Sequence, residues 1–290
     1  MKSRIAPKFL LLLGLGSLLT ACVEPKEGCL DVNAVNYQVD ADLPCSDCCE
    51  YPTLQLDVLH KVNPDSEANL NFGDSVYQDG AGNDFRINDI QFYLSNVALL
   101  RPGGSPVRVT DTLQIPVEQP DGSIEIEVVT DDIVLLNPND LRTSRVGNFI
   151  SQGVFSAIRF DVGINGPANF VAPALLPEDH PLALQEMYWN ADSGRIYNRL
   201  DLFRIEGQAD TLRTLLEIGL PGQLRTVELS LPTPFELSPG FGPSLIIRIN
   251  YLTWFSQMDL KNDDEAALIQ KIVNNLTESF SVIAIEQKLQ

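Results

Sequence analysis

The sequence predicts an all-β fold, an antiparallel β-sandwich with a C-terminal helix, preceded by a small module stapled by disulfides. Short stretches of alternating apolar and polar residues, separated by clusters of Pro, Gly and Asp, support this prediction. Alternation with a period of two is typical of strands that bury one face, and many short strands indicate a sandwich or barrel. We divide the chain into a signal peptide (1–21), a lipidated tether with a Cys-rich module (22–53) and a β-sandwich domain (54–290).

The predicted strands of the main domain follow from this alternation. Leu54–Leu59 alternates leucine or valine with polar residues, and Ile124–Val128 alternates isoleucine with glutamate. The second of these strands follows an Asp121–Gly122 pair, which is a strong signal for a hairpin turn. The remaining strands are predicted at Phe85–Leu100, Ser156–Val162, Tyr197–Glu206, Leu224–Leu231 and Ser244–Tyr251.

One helix is predicted near the C-terminus. Asp263 is a suitable N-cap, because its carboxylate can accept hydrogen bonds from the first backbone N–H groups of a helix. The residues that follow place an apolar stripe on one helical face. That stripe consists of Ile269, Ile272, Val273, Leu276 and Phe280.

The N-terminus has the pattern of an exported lipoprotein. Basic residues precede an apolar run at Phe9–Leu19, which is too short to span a membrane. The Leu-Thr-Ala-Cys sequence at residues 19–22 resembles a bacterial lipobox, which implies that Cys22 becomes the acylated first residue. We therefore expect attachment to the membrane through Cys22, as an outer-membrane lipoprotein of the cell envelope, at the periplasmic face or the cell surface.

The other cysteines are Cys29, Cys45, Cys48 and Cys49, an even number in an exported chain. They predict two disulfides, because so short a module cannot build a hydrophobic core of its own. The pairing stays open among three connectivities. One alternative is a zinc site at Cys45-x-x-Cys48, although the second ligand pair is missing. The segment 28–52 resembles a Cys-rich module common in secreted proteins of the Bacteroidetes group.

Charge and motifs exclude several functions. The net charge is −19, and it becomes −22 when the basic residues of the signal peptide are removed, so a nucleic-acid partner is excluded. The sequence has no GxSxG, HExxH or Walker motif, and no GxGxxG motif after a strand. Its only histidines are His60 and His180, too few for a multi-histidine zinc hydrolase. We predict that the protein is not an enzyme.

The segment Met187–Gly207 combines an aromatic cluster with a tight turn. A Met-Tyr-Trp cluster at 187–189 precedes a polar turn at 190–194, where glycine can take a positive φ, and a strand at 196–205 follows. On residue types alone, this is a hairpin whose aromatic side chains are buried. The cluster, the Ser-Gly turn and the Glu-Gly ending also resemble the signature of the MbnP-like family of copper-associated periplasmic proteins.

Other segments resemble the same family in the same order along the chain. They extend the resemblance over residues 54–285. These segments are the opening strand with its histidine (Leu54–Asn63), a segment with a Tyr-Leu-Ser-Asn run (Asn83–Leu100), a glycine-marked strand (Phe160–Gly166) and a closing helix (Ile269–Phe280).

The resemblance implies copper as the bound metal. Copper favours imidazole and thioether ligands, so the candidate metal site consists of His60, His180 and Met187, with Trp189 at its edge. In characterised members of the family, a di-haem peroxidase-like partner oxidises a tryptophan to kynurenine, which then helps to bind copper. Trp189 is similar to that position. This chain departs from the family pattern at Ala191, where a second tryptophan is frequent, and at Arg195, where tyrosine is usual.

A second interpretation is a ligand-binding or glycan-binding β-sandwich with no metal role. Its candidate stacking platforms are Tyr188, Trp189, Tyr197 and Trp254, although burial in the core explains these aromatic residues equally well. Geometry distinguishes the two interpretations. Convergence of the two histidines with Met187 favours a metal site, whereas scattered ligands beside an exposed aromatic strip favour ligand binding.

Overall fold

The computed structural model describes residues 24–118, 121, 123–139, 143–207 and 210–290. The predicted signal peptide, the predicted acylation site Cys22 and Gly122 of the predicted hairpin turn lie outside these residues. Within them, no helix is both long enough and apolar enough to cross a membrane.

Within the described residues, strands dominate the fold, together with one α-helix, α1 (Glu265–Asn275). In chain order the strands are β1 (Glu27–Gly28), β2 (Leu43–Pro44), β3 (Thr53–Lys61), β4 (Tyr77–Gln78), β5 (Asp84–Leu100), β6 (Pro106–Arg108), β7 (Thr112–Glu118), β8 (Ile124–Thr130), β9 (Val134–Leu136), β10 (Ser144–Asn148), β11 (Gly153–Val162), β12 (Tyr188–Asn190), β13 (Gly194–Arg195), β14 (Asn198–Glu206), β15 (Asp210–Ile218), β16 (Arg225–Leu237), β17 (Gly242–Asn250) and β18 (Phe280–Lys288). Short 3-10 helices lie at Pro167–Asn169, Pro173–Leu175, Pro181–Ala183, Gln185–Met187, Pro221–Gln223, Tyr251–Phe255 and Leu276–Ser279.

Two sheets form the sandwich of the main domain, and its described residues also hold two two-stranded sheets, β7-β8 and β12-β13. The small sheet has the order β10-β3-β17-β18, and the large sheet has the order β15-β14-β5-β11-β16, with β4, β6 and β9 also paired to β5. The pairing is antiparallel except between β3 and β17, which run parallel. The predicted antiparallel β-sandwich is confirmed, with this one parallel pair inside the small sheet.

The side chains of β5 face two different hydrophobic clusters. Phe92 and Leu94 belong to the first core cluster, which fills the space between the sheets, whereas Tyr93 belongs to the second. Successive strand residues point to opposite faces, so the second core cluster covers the other face of the large sheet. The second core cluster consists of Tyr93, Leu113, Ile115, Ile133, Ile164, Ala168, Val171, Leu182, Met187, Ile196 and Tyr197.

The C-terminal helix is confirmed, but its ends differ from the prediction. Asp264 rather than Asp263 is the N-cap, and it accepts a hydrogen bond from the backbone N–H of Ala267. Asp263 instead pairs with Lys271 at 2.6 Å. The helix ends at Asn275, and Phe280 begins β18 rather than closing the helix. Phe280 is buried all the same, because β18 packs along the edge of the small sheet.

The Cys-rich module is closed by two disulfides, as predicted. The bonds join Cys29 to Cys49 and Cys45 to Cys48, which resolves the open pairing. The alternative zinc site is therefore wrong, because both sulfurs of Cys45-x-x-Cys48 are consumed in a disulfide. Hydrogen bonds from Asn33 and Tyr51 to the Asp31 carboxylate order the module further.

Candidate metal centre

His60 lies near the end of β3 and faces the first core cluster. Its Nδ1 is 2.7 Å from the Tyr251 hydroxyl, and the two rings are stacked with centroids 5.7 Å apart. Burial lowers the pKa of His60 to about 4, because the imidazolium ion is poorly solvated there. The imidazole is therefore neutral at physiological pH, which is the form that binds metals.

Tyr251 holds His60 from within an aromatic group in the core. Its ring meets Phe92 and Trp254 edge-on, and its side chain is fully buried. Burial raises the pKa of Tyr251 well above the ordinary value, so its hydroxyl stays protonated. Trp254 donates its indole N–H to Ser279 at 2.8 Å and is also fully buried. A neutral phenol therefore fixes the orientation of the His60 ring.

His180 lies in the loop that precedes the 3-10 helix Pro181–Ala183. Its Nδ1 accepts a hydrogen bond from the backbone N–H of Leu182, which makes the imidazole the N-cap of that helix. Its Nε2 is 3.1 Å from a carboxylate oxygen of Asp131. These contacts fit a ring that accepts at Nδ1 and donates at Nε2. Both ring nitrogens of His180 are thus occupied by protein groups.

Met187 is fully enclosed in the second core cluster. Its backbone N–H donates to the carbonyl of Leu184, and its backbone carbonyl accepts from the N–H of Ile196. Both backbone polar groups of Met187 are therefore hydrogen-bonded. The thioether packs among apolar neighbours such as Leu182. Met187 is therefore a core residue of the second cluster in this arrangement.

Trp189 packs half-buried against the margin of the second core cluster. Its indole N–H donates to a carboxylate oxygen of Glu217 at 2.7 Å, and the other carboxylate oxygen lies 3.9 Å from Arg199. Gly219 lies against the indole ring, because a Cβ at that position would come within 2.7 Å of the ring. Gly219 and the carboxylate of Glu217 on β15 therefore define the position of Trp189.

The turn after Trp189 forms a hairpin, but its second strand is Gly194–Arg195, and the strand predicted at 196–205 instead joins the large sheet as β14. Gly194 has a φ of 77°, and β12 pairs with β13 across the turn. Arg195 is fully buried, with its guanidinium 5.3 Å from the Tyr188 ring centroid and donating to the backbone carbonyls of Ala168 and Val171. Burial lowers the pKa of Arg195. A buried cation therefore occupies the position where the family pattern has tyrosine.

The four predicted metal-site residues divide between the two faces of the large sheet. His60 packs against the first core cluster. Met187 belongs to the second core cluster, and Trp189 packs against it. His180 is bound to the backbone of Leu182, which is another member of the second cluster. Across the described parts of the chain, no group of three or more His, Cys, Asp or Glu residues is arranged to hold a metal ion.

The aromatic platforms of the second interpretation also do not form one surface. Trp254 is fully buried, and Tyr197 is 3% exposed. Only Tyr188 and Trp189 are partly accessible, and each is already bound to a neighbour, Phe170 and Glu217 respectively. The prediction that Trp254 and Tyr197 serve as stacking platforms is wrong, because both are core residues.

Sequence reasoning missed the partners that define these positions. Tyr251 and Glu217 are distant in sequence from His60 and Trp189, and no local pattern connects them. The cap at His180 did have a local signal, because proline follows at the first helical position. Asp131, which binds its other nitrogen, comes from a separate loop.

Comparisons with known proteins place the chain. The family model for MbnP matches residues 51–274, which is more than half of the chain. The solved structure of MbnP from Methylosinus trichosporium is similar with 10% sequence identity and a TM-score of 0.45, over 81% of this chain and 98% of that chain. A search of curated proteins gave no match. On the extent of the family match, the chain belongs to the MbnP family.

Proposed function

We propose that this protein is a lipid-anchored, extracytoplasmic protein that binds copper without catalytic turnover, with His60 as its principal ligand. Family membership supports copper, as the resemblance in the sequence implies. The observation that carries the proposal is the contact between His60 and Tyr251, which pairs a buried neutral imidazole with a fixed phenol. Hydrogen bonding to the second nitrogen is how proteins orient metal-binding imidazoles.

The donor atoms fit copper at His60 but not at the other predicted ligands. Nε2 of His60 forms no hydrogen bond within the described residues, so its lone pair is available when Nδ1 carries the proton and donates to Tyr251. Both nitrogens of His180 are occupied, and the sulfur of Met187 is enclosed in apolar packing. Since one imidazole does not fill a coordination shell, the proposal requires further ligands from outside the predicted set.

A copper titration tests this proposal. The mature chain is titrated with Cu(I) and Cu(II) in competition with a chromophoric chelator, at pH 7 and at pH 5.5. We expect stoichiometric binding of similar strength at both values, because His60 stays neutral far below the ordinary range of histidine. Loss of affinity that follows a group titrating near pH 6.5 would contradict binding at His60.

The role of Trp189 follows from the same family resemblance. We propose that a di-haem peroxidase-like partner oxidises Trp189, whose indole N–H already points at the Glu217 carboxylate. Peptide mass analysis of protein from the native host is the test, with Trp254 as a matched internal control because it is fully buried. We expect an oxidised Trp189 peptide and an unmodified Trp254 peptide. Unmodified Trp189 in cells that express the partner would contradict the proposal.

The lipid anchor is proposed from the sequence of residues 19–22. Labelling with a radioactive fatty acid tests it, with a Cys22→Ala variant as the control. We expect label and membrane fractionation for the unmodified sequence, and neither for the variant. A mature N-terminus that is cleaved but carries no acyl group would contradict the anchor. Digestion of intact cells by an added protease then distinguishes the cell surface from the periplasmic face.

A further inference from the structure

A polar pocket of about 250 Å³ lies on the face of the large sheet that carries the second core cluster. It opens where β5 meets the end of β8 and the loop after β11. Its polar lining includes Ser95, Asn96, Arg108, Asp132 and Asn165. None of the predicted metal ligands lines it. Two segments that the sequence singled out, the Tyr-Leu-Ser-Asn run and the glycine-marked strand, both border this pocket.

Asn96 adopts an unusual backbone conformation at the edge of the pocket. Its φ is 58°, a left-handed value that is rare for a residue other than glycine, and it interrupts the register between β5 and β11. Two carboxylates hold this bulge: Asp132 accepts the backbone N–H at 2.9 Å, and Asp161 accepts the side-chain amide at 3.0 Å. Strained residues held in this way are concentrated at functional sites.

Asp132 has one oxygen without a partner. The residue is 4% exposed, its Oδ1 accepts the backbone N–H of Asn96, and its Oδ2 is buried with no hydrogen-bond partner in the described chain. A buried polar atom without a partner costs free energy unless a ligand satisfies it. Burial raises the pKa of Asp132 to about 6, so the carboxylate is mostly ionised at pH 7.

Arg108 supplies the opposite charge at the rim of the same pocket. It lies at the end of β6, is exposed, and forms no ion pair or hydrogen bond with another described residue. The backbone N–H of Asn96, the charge of Arg108 and the backbone N–H of Val97 each lower the pKa of Asp132 against the larger effect of burial, yet Asp132 and Arg108 are not in ion-pair contact. An anionic floor and a cationic rim therefore line one cavity without neutralising each other directly.

We propose that this pocket binds a small zwitterion of the free α-amino acid class. The ammonium group of the ligand pairs with Oδ2 of Asp132, and its carboxylate pairs with Arg108 at the rim. Ile133 and Ile164 supply an apolar wall for a small side chain. A divalent cation fits less well, because a single carboxylate lines the pocket and Arg108 repels positive charge.

Calorimetric titration of the mature chain with L-alanine tests the proposal, in a buffer that contains a copper chelator so that the result does not depend on copper. Ethylammonium and propionate are the control probes, because each carries half of the zwitterion. We expect saturable binding of L-alanine and much weaker binding of either half. Charge-assisted contacts of this kind are worth about tenfold or more in affinity each, so Asp132→Asn and Arg108→Gln both weaken binding by at least that factor.

The pH dependence sharpens the same test. Asp132 faces Arg108 on β6, with Asp131 beside it in the same loop and Asp161 on β11 contacting the same Asn96. Protonation of Asp132 removes the partner of the ammonium group, so we expect affinity to fall about tenfold from pH 7 to pH 5. Asp132→Asn abolishes that dependence, whereas Arg108→Gln retains it.

Two results would overturn the proposal. One is the absence of binding for L-alanine, glycine and L-serine to the unmodified chain. The other is an affinity that neither Asp132→Asn nor Arg108→Gln changes. Arg108 is exposed, so Arg108→Gln is expected to fold and keeps the test decisive even if substitution of Asp132 disturbs the bulge at Asn96. Failure of copper binding at His60 would leave this test unaffected.

Discussion

The two histidines of this chain lie on opposite sides of the large sheet and differ in how their ring nitrogens are bound. His60 is on the small sheet that packs against one side, and His180 is in a loop on the other side. His60 is oriented by one phenol and keeps a nitrogen without a partner in the described chain, whereas His180 uses both nitrogens to cap a helix and bind Asp131. Residue type alone therefore does not identify a ligand. What matters is whether the surrounding chain has already used the donor atoms, and at His60 it has not used them all.

The two tryptophans repeat this contrast and give the largest expected effect. Trp254 is fully buried in the first core cluster, so we expect Trp254→Ala to lower the free energy of unfolding by about 3–5 kcal/mol. Trp189 is half-buried at the margin of the second, so Trp189→Ala should cost about 1–2 kcal/mol. Urea unfolding of both variants measures the difference. Equal losses of unfolding free energy in the two variants would show that the side chains on both faces of the large sheet are equally well packed.

The pH dependence of stability distinguishes the two faces of the large sheet, because His60 lies on one side and Asp132 on the other. The depressed pKa of His60 gives stability that is fully present above pH 6.5 and is lost as the pH falls towards 4. The raised pKa of Asp132 has the opposite sign: its contribution is present below pH 3.8 and is lost as the pH rises through 6. Each is worth about 3 kcal/mol, so the two contributions nearly cancel in that window.

Single substitutions should separate these contributions. Relative to the unmodified chain, Asp132→Asn should gain about 3 kcal/mol of stability between pH 4 and pH 7. His60→Gln should change in the opposite direction over the same range, losing relative stability as the pH rises. Urea unfolding at several pH values measures both. If the free energy of unfolding of either variant varied with pH in the same way as that of the unmodified chain, the burial assigned to the substituted residue would be contradicted.

Tyr251→Phe tests whether the phenol orients His60. Removing the hydroxyl leaves the imidazole in place but frees its ring to rotate, and loss of such an orienting contact typically weakens metal affinity by about 10–100-fold. We expect that decrease in copper affinity, with a loss of about 1 kcal/mol in stability. Unchanged copper affinity would show that the hydrogen bond has only a structural role. Trp254→Phe is the matched control, since it alters an aromatic residue that packs against Tyr251 and leaves the Tyr251 hydroxyl in place.

His180→Ala has the smallest expected effect. It removes a helix cap and the contact with Asp131, which should cost about 1 kcal/mol of stability. Copper affinity should stay within about threefold of the unmodified value, since both nitrogens already have protein partners. A large loss of copper binding would show instead that His180 releases Asp131 when the metal arrives.

Much of the fold could be predicted from the sequence because strand patterns are local. The alternation at Leu54–Leu59 and Ile124–Val128 identified β3 and β8 to within a few residues. The parallel pairing of β3 with β17 had no local signal, since it joins distant parts of the chain. Phe280, the first residue of β18, was assigned to the helical stripe because its spacing from Leu276 also suits a helix, and the rest of β18 was not predicted.

The candidate site was less predictable for the same physical reason. His60 could be named from the family pattern, but its partner Tyr251 lies 191 residues away and its low pKa depends on packing. The pocket at Asp132 was not predicted, although two segments that the sequence singled out, the Tyr-Leu-Ser-Asn run and the glycine-marked strand, border it. It is formed by a strained Asn96, a buried loop carboxylate and the end of a short strand, which only the folded chain brings together.

A copper competition titration of the matched variants His60→Gln and His180→Gln tests the central claim most directly. Glutamine preserves polarity and approximate size at both positions, so the comparison isolates the imidazole. We predict that His60→Gln lowers copper affinity by about 100-fold or more, while His180→Gln leaves it nearly unchanged. Equal loss in both variants, or loss only in His180→Gln, would contradict the assignment of His60 as the principal ligand.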